Sequence, residues 1–184
     1  MRGEFVYLRP VEKVDMDSFY QAVHDQEIRY MTGTRNTFTM EQLYAHYEEI
    51  TTDPTRFDFA ICLVESQEIL GDLSILEIDK INQKAGFRIS LHNTNYLNKG
   101  YGTEAVQLAL QFTFEELKLN RLQLEVFSHN SRGIKSYEKA GFKQEGIIRQ
   151  SIYLNNHFSD EIIMGMLQKE YFDLIQTFDK KDKE

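Results

Sequence analysis

The sequence predicts one α/β domain in which a mixed, mostly antiparallel sheet of about seven strands carries helices on both faces. Segments with strand and helix spacing follow one another in the order β-α-α-β-β-β-α-β-α-β-β. Three successive strands joined by short polar turns predict an antiparallel meander. The later strands are separated by helices, which predicts βαβ crossover units and therefore a mixed sheet.

Strands are predicted where apolar residues alternate with polar ones or form a short run. These segments are residues 5–9, 57–64, 69–78, 85–91, 122–127, 142–154 and 161–167. Helical spacing predicts helices over residues 15–28, from residue 39, over 102–117 and over 131–140, with a loop at 29–38. Thr39 and Gln42 have the spacing of a capping box, and Gly141 stands where a helix would end. We expect the domain to span residues 1–171, followed by a polar tail at 172–184.

The composition argues against several classes of function. The 184 residues carry a formal net charge of −8, and phosphate binding needs an excess of Lys and Arg on some face, so we expect no nucleic-acid partner. The charge is compatible with a cationic substrate or with an ordinary soluble surface. The single cysteine, Cys62, excludes an internal disulfide and a zinc site built from several cysteines, and its apolar surroundings predict an inert thiol. We expect no metal site.

The sequence shows no sign of a targeting or membrane segment. Charged residues follow Met1 closely, so the apolar stretch of a signal peptide is missing there. No run approaches the roughly 20 apolar residues of a membrane span. We therefore expect a cytoplasmic protein without a membrane partner.

A glycine-containing segment at residues 98–105 is the first candidate binding site. Gly100 and Gly102 precede a predicted helix, where the backbone can approach a ligand and unpaired N–H groups favour an anion. The P-loop pattern is missing, and Ala105 stands where the dinucleotide fingerprint has its third glycine. The preceding antiparallel strands also argue against that fingerprint, which follows the first strand of a parallel unit. From these residues alone, a pyrophosphate site and a simple turn both stay open.

A second motif lies at residues 130–142. Asn130 can cap the predicted helix, and Tyr137 lies two turns further on, on a similar face. The helix can thus present an amide and a phenol to one groove. A cap followed by a half-buried tyrosine is also common in helices that have no such role.

Both motifs together, in this order and after the meander, resemble the GNAT superfamily of acetyl-CoA-dependent N-acetyltransferases. That superfamily has Gln/Arg-x-x-Gly-x-Gly/Ala at the start of a helix and Asn-x-x-Ala/Ser-x-x-x-Tyr-x-x-x-Gly-Phe later. The resemblance covers residues 5 to about 171 and is greatest to the ribosomal-protein N-terminal acetyltransferases and the spermidine acetyltransferases. Leu97 departs from the first pattern, at a position that mainly offers backbone, and Gly133 departs from the second.

The resemblance implies a GNAT fold in which a splayed central pair of strands, here residues 85–91 and 122–127, holds acetyl-CoA as co-substrate. The backbone near residues 89–91 would pair with the pantetheine arm, and N–H groups around 98–103 would bind the pyrophosphate. The residues implied in cofactor binding are Ile89, Ser90, Leu91, Asn98, Lys99, Gly100, Tyr101, Gly102, Thr103, Asn130, Arg132 and Tyr137.

The implied reaction is the attack of a neutral amine on a thioester. Tyr137 is expected to protonate the departing sulfur, because a phenol keeps its proton at neutral pH. Its other role in such enzymes is only to position the cofactor. Glu77 is the first candidate for the group that accepts the proton of the amine, and Glu27 is the next. Both could also be ordinary surface acids.

The acceptor is expected to be a primary amine on a small molecule or a peptide. Its expected contacts are Glu27, Arg29, Tyr30, Arg35 and Tyr153. The two arginines would repel a polycation, and the acids that spermidine enzymes carry at the positions of Ser74 and Gly86 are absent. We therefore favour an α-amine of an amino acid, peptide or protein N-terminus, with a polyamine as the alternative.

Two alternatives of other classes also follow from the sequence. A non-catalytic module that senses acyl-CoA could use the same fold, although the retained Tyr137 favours an enzyme. A nucleotide-dependent oxidoreductase would predict NAD binding instead. Dimers are common in the superfamily, so a homodimer stays open, and no sequence feature identifies an interface.

Overall fold

The computed structural model describes residues 1–181, which form seven strands and six α-helices. The strands are β1 (Val6–Pro10), β2 (Phe57–Leu63), β3 (Ile69–Asp79), β4 (Lys84–Leu91), β5 (Arg121–Phe127), β6 (Lys143–Leu154) and β7 (His157–Leu167). The helices are α1 (Met16–His24), α2 (Gln26–Thr32), α3 (Met40–Ile50), α4 (Tyr101–Gln111), α5 (Ser131–Ala140) and α6 (Gln168–Lys181).

All the strands belong to one sheet, in the order β1-β2-β3-β4-β5-β7-β6. Neighbouring strands are antiparallel except β4 and β5, which are parallel and are connected through α4. The predicted meander corresponds to β2, β3 and β4. β7 lies between β5 and β6 in the sheet. The connection from β5 through α5 to β6 therefore passes over the position of β7. The mixed, mostly antiparallel sheet predicted from the sequence is confirmed.

The parallel pair β4–β5 opens part-way along its length. Residues 84–86 of β4 pair with residues 121–123 of β5, and the two strands then continue to Leu91 and Phe127 without pairing to each other. Within the described part of the chain, the backbone of β4 beyond Gly86 therefore has unpaired groups on the side that faces β5. This opening is the splayed central pair that the resemblance implies.

The main hydrophobic core lies between the sheet and helices α4, α5 and α6. Leu73 and Phe87 of the sheet belong to one buried cluster with side chains of these helices. A smaller cluster, which includes Met16 and Leu43, packs α1 against α3. Helices thus cover both faces of the sheet. Cys62 is fully buried, and burial raises the pKa of its thiol, which agrees with the predicted inert cysteine.

The helix predicted over residues 15–28 is two helices, and the loop predicted at 29–38 is helical at its start. Asp25 has an extended backbone, and its carboxylate accepts a hydrogen bond from the N–H of Ile28 at 2.9 Å, so it caps α2. α2 ends at Gly33, whose φ of 69° forms a left-handed cap. The predicted boundary was wrong because a capping aspartate looks like any surface acid in an amphipathic pattern.

Two other elements differ from the prediction. The helix predicted over 102–117 ends at Gln111 and continues as a π-helical turn over Phe112–Glu116. β7 begins at His157 and not at residue 161, because Asn155 and Asn156 adopt φ values of 50° and 60° and form a tight hairpin turn.

The C-terminal residues predicted as a polar tail are helical as far as they are described. α6 begins at Gln168, and its Tyr171 is buried. Leu174 and Ile175 pack against the main core. Residues 182–184 of the predicted tail lie outside the described residues.

Candidate active site

A cleft of about 440 Å³ opens where β4 and β5 separate. Its walls are the C-terminal end of β4, the first turn of α4 with the loop before it, α5, and one side of α2. Ile28, Met31 and Thr32 form the α2 wall, which the sequence analysis missed. Their spacing of three and four residues is that of a single helix face, but residues 29–38 had been predicted as a loop.

The first turn of α4 presents backbone N–H groups to the cleft. Gly100 caps the helix with a φ of 85° and has no side chain that could occupy these groups. The hydrogen bonds within the helix begin with the N–H of Glu104, which donates to the carbonyl of Gly100 at 3.0 Å. Gly102 and Thr103 line the cleft beside them. This arrangement favours an anion, because the N–H groups and the helix dipole both carry partial positive charge.

The second motif borders the same cleft through α5. The side chain of Asn130 accepts a hydrogen bond from the N–H of Gly133 at 2.9 Å and donates to the carbonyl of Met31 at 3.3 Å. It thus caps α5 and also contacts α2. The hydroxyls of Thr103 and Ser136 form a hydrogen bond of 2.9 Å that joins α4 to α5. The two motifs are therefore adjacent walls of one cleft.

Three basic side chains of α5 line the cleft: Arg132, Lys135 and Lys139. Of these three residues, only Arg132 was predicted from the sequence. The spacing of three and four residues could have revealed the two lysines, because residues at that spacing share a helix face. Together they make this wall positively charged beside the N–H groups of α4, which suits the phosphates of a nucleotide.

Tyr137 is 8% exposed and lies in the wall of the cleft. Its ring packs edge-on against Phe87 and Phe142, at centroid distances of 6.5 Å and 5.9 Å. Burial raises the pKa of Tyr137 to about 12. The phenol therefore keeps its proton throughout the neutral range and is available as a donor.

The residues predicted to bind the cofactor line this cleft, with two exceptions. Lys99 is exposed on the loop before α4. The side chain of Tyr101 packs partly against the main core, with its ring centroid 6.4 Å from that of Phe5. The predicted role of residues 98–103 depends on backbone N–H groups, so it remains a prediction for Tyr101, as does the contact of Lys99 with a nucleotide phosphate.

Glu77 does not belong to the lining of the cleft. It is exposed, has a φ of 53°, and lies in β3 where the register with β4 shifts between Leu76 and Asp79. The pKa of Glu125 on β5 is raised by its burial and by the charges of Glu161 and Glu77. Three carboxylates are thus grouped on β3, β5 and β7.

The residues predicted to bind the acceptor lie beside the cleft and contact one another or its walls. Glu27 and Arg132 form an ion pair of 2.8 Å. Arg29 donates a hydrogen bond to the carbonyl of Arg35, and Arg35 donates to the carbonyl of Tyr153 at 3.2 Å. The two arginines therefore connect α2 to the β6–β7 hairpin. Among the described residues, the Nε of Arg29 is buried without a hydrogen-bond partner.

His129, which the sequence analysis missed, joins β5 to α2 and β7. Its ring stacks on Tyr30 at a centroid distance of 4.2 Å, and its Nε2 lies 2.8 Å from the carbonyl oxygen of Tyr30. Its Nδ1 lies 2.9 Å from the hydroxyl of Ser159. A carbonyl can only accept, so Nε2 carries the proton in this contact. No motif or periodicity in the sequence indicated that His129 joins these elements, since Tyr30 and Ser159 are distant from it in the chain.

A buried polar chain connects the sheet to α1 behind the end of β4. Asp72 lies 2.8 Å from Nε2 of His92, and Nδ1 of His92 lies 2.7 Å from the hydroxyl of Ser18. Burial acts to raise the pKa of Asp72, but the hydrogen bond and charge of His92, with the charge of Arg88, hold that pKa below its usual value. Because His92 follows Leu91 directly, these contacts fix the strand end that lines the cleft.

Comparison with known proteins gives the family and the fold. The acetyltransferase (GNAT) domain matches residues 6–143. A spermidine N(1)-acetyltransferase of Escherichia coli (strain K12) is 27% identical over 167 residues, which are 90% of this chain and 88% of that protein. A putative ribosomal N-acetyltransferase, YdaF, of Bacillus subtilis (strain 168) is 29% identical over 111 residues, 59% of each chain. The crystal structure of spermidine N-acetyltransferase from Vibrio cholerae in complex with CoA and spermine has a TM-score of 0.85 and 23% identity, and the match covers 91% of this chain and 98% of that one.

The family match defines an acyltransferase that acts on amino groups. The chain belongs to the acetyltransferase (GNAT) domain family, since that domain matches most of its length. The family indicated by the two sequence motifs is therefore confirmed. Within residues 1–181, no helix is both long enough and apolar enough to cross a membrane. The side chains described in the structure include no group of three His, Cys, Asp or Glu residues placed to hold a metal ion.

Proposed function

We propose that the chain transfers the acetyl group of acetyl-CoA to a primary amine of an aliphatic polyamine. The observation that carries this proposal is the cleft between the separated strands β4 and β5, which both motifs border. The spermidine acetyltransferases among the relatives and the structural neighbours support a polyamine as the acceptor. A polyamine, which was the alternative in the sequence analysis, thus becomes our first proposal in place of the α-amine.

The walls of the cleft fit acetyl-CoA by their chemistry. The backbone of β4 beyond Gly86 can pair with the amides of the pantetheine arm as an added strand would. The N–H groups of Gly102 and Thr103 can receive the pyrophosphate, and the basic face of α5 adds positive charge beside it. When bound, acetyl-CoA supplies a thioester, whose carbonyl carbon is the atom that the amine attacks.

Tyr137 is the group proposed to protonate the departing sulfur. Its pKa of about 12 lies above the value of about 8.5 for an ordinary thiol, which alone would make the transfer unfavourable. Burial in the same apolar wall also raises the basicity of a thiolate, so the two pKa values approach each other in the cleft. The phenol then supplies a proton where negative charge develops.

Glu77 is the proposed acceptor of the proton that the amine loses, and it would act through water because it lies outside the lining of the cleft. An aliphatic amine with a pKa of about 10 is almost fully charged at pH 7, so a proton must leave before the nitrogen can attack. Glu77 is exposed and lies near Glu125 and Glu161. These grouped carboxylates also support a polycationic acceptor, because a second ammonium group would relieve their mutual repulsion.

An acceptor with its own carboxylate is the second candidate, and Arg29 is the residue that favours it. The Nε of Arg29 is buried and, in the described part of the chain, has no partner, so a carboxylate could supply one. Against this reading, Arg29 and Arg35 already donate to backbone carbonyls and hold α2 to the β6–β7 hairpin. These two side chains are therefore less available to repel a polycation than their charges alone would suggest.

Release of free thiol from acetyl-CoA, measured with spermidine, spermine, amino acids and short peptides, tests this proposal. We expect saturable turnover with the polyamines, at a kcat/KM well above that for the amino acids. Turnover confined to amino acids or peptides would favour the second candidate instead. CoA binding without turnover on any amine would indicate a sensor and contradict the transferase role.

The same assay tests the proposed proton acceptor. Glu77→Gln should lower kcat/KM by at least about ten-fold, because the amine loses its general base. Glu65→Gln, which removes an exposed acid from the turn between β2 and β3, is the matched control and should keep normal turnover. Equal activity of the two variants would remove Glu77 from the mechanism.

A further inference from the structure

The side chain of Glu104 lies in the first turns of α4 and contacts the segment that leads into β1. Its Oε1 accepts a hydrogen bond from the N–H of Glu4 at 2.6 Å. Its Oε2 accepts from the N–H of Phe5 at 2.9 Å and from that of Val6 at 2.7 Å. One carboxylate thus binds three consecutive backbone amides that are about a hundred positions away in the sequence.

Gly3 packs directly against the carboxylate of Glu104. A Cβ atom added to Gly3 would lie 2.5 Å from the carboxyl carbon of Glu104. A side chain at residue 3 would therefore fit only if the carboxylate moved and weakened its contacts with the three donors. Beside it, the ring of Phe5 lies 6.4 Å from that of Tyr101, the first residue of α4. The start of β1 and the start of α4 are therefore held together by polar and aromatic contacts.

The charge of Glu104, near the anion site at the start of α4, is offset by its three N–H donors. Glu104 is absent from the lining of the cleft, whereas Gly102 and Thr103 line it. The three N–H donors compensate the carboxylate on the side of the helix away from the cleft. A negative charge in the first turns of a helix also interacts favourably with the helix dipole.

We propose that Glu104 is a positioning residue for the co-substrate. By binding the amides of residues 4–6, it fixes the first turn of α4, so that the N–H groups of Gly102 and Thr103 keep the position required by the pyrophosphate. This inference rests on the proposed acetyl-CoA site. It assigns to the segment before β1 a role in co-substrate affinity, although that segment does not reach the cleft.

Titration calorimetry with CoA and steady-state kinetics on Glu104→Gln test the inference. A glutamine offers one acceptor oxygen, and its NH₂ group must face at least one N–H donor, so the contact with residues 4–6 is broken in part. We expect the Kd of CoA to rise about ten-fold, which corresponds to about 1.4 kcal/mol. At saturating acetyl-CoA, kcat and the KM of the amine should stay within about two-fold of the wild-type values. Glu116→Gln, which removes an exposed acid beyond the end of α4, should leave the Kd unchanged.

Gly3→Ala provides an independent variant that leaves α4 itself unaltered. Its Cβ should displace the Glu104 carboxylate and raise the Kd of CoA in the same direction. The double variant should bind CoA no more weakly than Glu104→Gln, because both changes act through one contact. If Glu104→Gln does not fold, the result with Gly3→Ala decides the question.

The outcomes separate this inference from the proposed function. A folded Glu104→Gln protein that is less stable but binds CoA with the wild-type Kd would overturn the positioning role. A fall in kcat at saturating acetyl-CoA without a change in Kd would also overturn it. Failure of the wild-type protein to bind CoA would instead contradict the acetyl-CoA site on which the inference rests.

Discussion

Tyr137 shows how one residue can be adapted for proton donation by its surroundings. Its ring is enclosed by Phe87 and Phe142, and this burial raises its pKa to about 12. We predict that Tyr137→Phe lowers kcat by about 10² or more, because the departing sulfur loses its acid. The Kd of CoA, measured by calorimetry, should change little, since the phenyl ring still fills the wall.

The result separates the two roles of Tyr137 that the sequence left open. An unchanged kcat with a raised Kd for CoA would show that the tyrosine only positions the cofactor. The pH profile offers a second test. Because the phenol loses its proton only near pH 12, wild-type activity should show no loss from this residue between pH 7 and about pH 10.

At the scale of the element, α2 depends on its neighbours for its position. It has only seven residues and none of them is buried, so its own helix propensity contributes little stability. Three contacts across the mouth of the cleft hold it: His129 with Tyr30, Asn130 with Met31, and Arg132 with Glu27. Since Ile28, Met31 and Thr32 line the cleft, we expect the order of α2 to control ligand affinity.

We predict that His129→Ala raises the KM of the amine or of acetyl-CoA several-fold, because it removes the stack and the hydrogen bond that hold α2. Hydrogen exchange of the α2 amides should become faster, since fewer contacts oppose local opening. His24→Ala is a matched control: the ring of His24 also lies against a tyrosine, Tyr20, at a centroid distance of 4.3 Å and a tilt of 38°, and its Nδ1 lies 2.7 Å from the carbonyl oxygen of Tyr20, but within α1. Equal KM values for the two variants would contradict this role of α2.

At the scale of the whole molecule, the chain Asp72–His92–Ser18 joins the sheet to α1 and should contribute to acid stability. The folded-state pKa of Asp72 lies below its usual value, mainly because the contact with His92 outweighs the effect of burial. Its contribution is therefore complete above the unfolded pKa of about 3.9 and is lost as the pH falls through the lower folded value. Acid should weaken this link between layers before it affects the apolar core.

We predict that Asp72→Asn lowers the free energy of unfolding by about 2 kcal/mol at pH 7, since the carboxylate bonded to His92 is lost. The difference from the wild type should narrow as the pH falls from about 5 to 2. Urea denaturation at several pH values measures this difference. Asp173→Asn removes an exposed carboxylate of α6 and should show a small effect at every pH. A constant difference for Asp72→Asn over this range would contradict the proposed linkage.

Most strands and helices could be predicted because their signals are local. The capping box of Thr39 and Gln42 is present as predicted, with bonds of 3.3 Å and 2.9 Å between these two residues. Gly141 likewise ends α5 with a φ of 102°. The predicted boundaries of helices and strands were wrong where one local pattern was compatible with two structures. Asp25 reads as a surface acid but caps α2, and the Asn155–Asn156 turn was not distinguished from a longer loop.

The candidate site could be predicted only in part. The motifs located the N–H groups of α4, the cap of α5 and Tyr137, because backbone geometry and helix spacing are properties of short segments. The side chains of Lys99 and Tyr101 are absent from the lining of the cleft, and side-chain directions within a turn cannot be predicted from composition. His129 was missed because neither its stacking partner nor its hydrogen-bond partners lie within its own element.

By itself, the sequence determined the family, the order of the elements and the two segments that border the cleft, since each of these depends on short-range patterns. Only the tertiary structure decided how far β4 and β5 pair, which side chains of α5 and α2 face the cleft, and that Glu104 binds residues 4–6. The physical reason is that these features depend on contacts between residues distant in the chain. Such contacts form when the sheet and helices pack, and they leave no periodicity in the sequence.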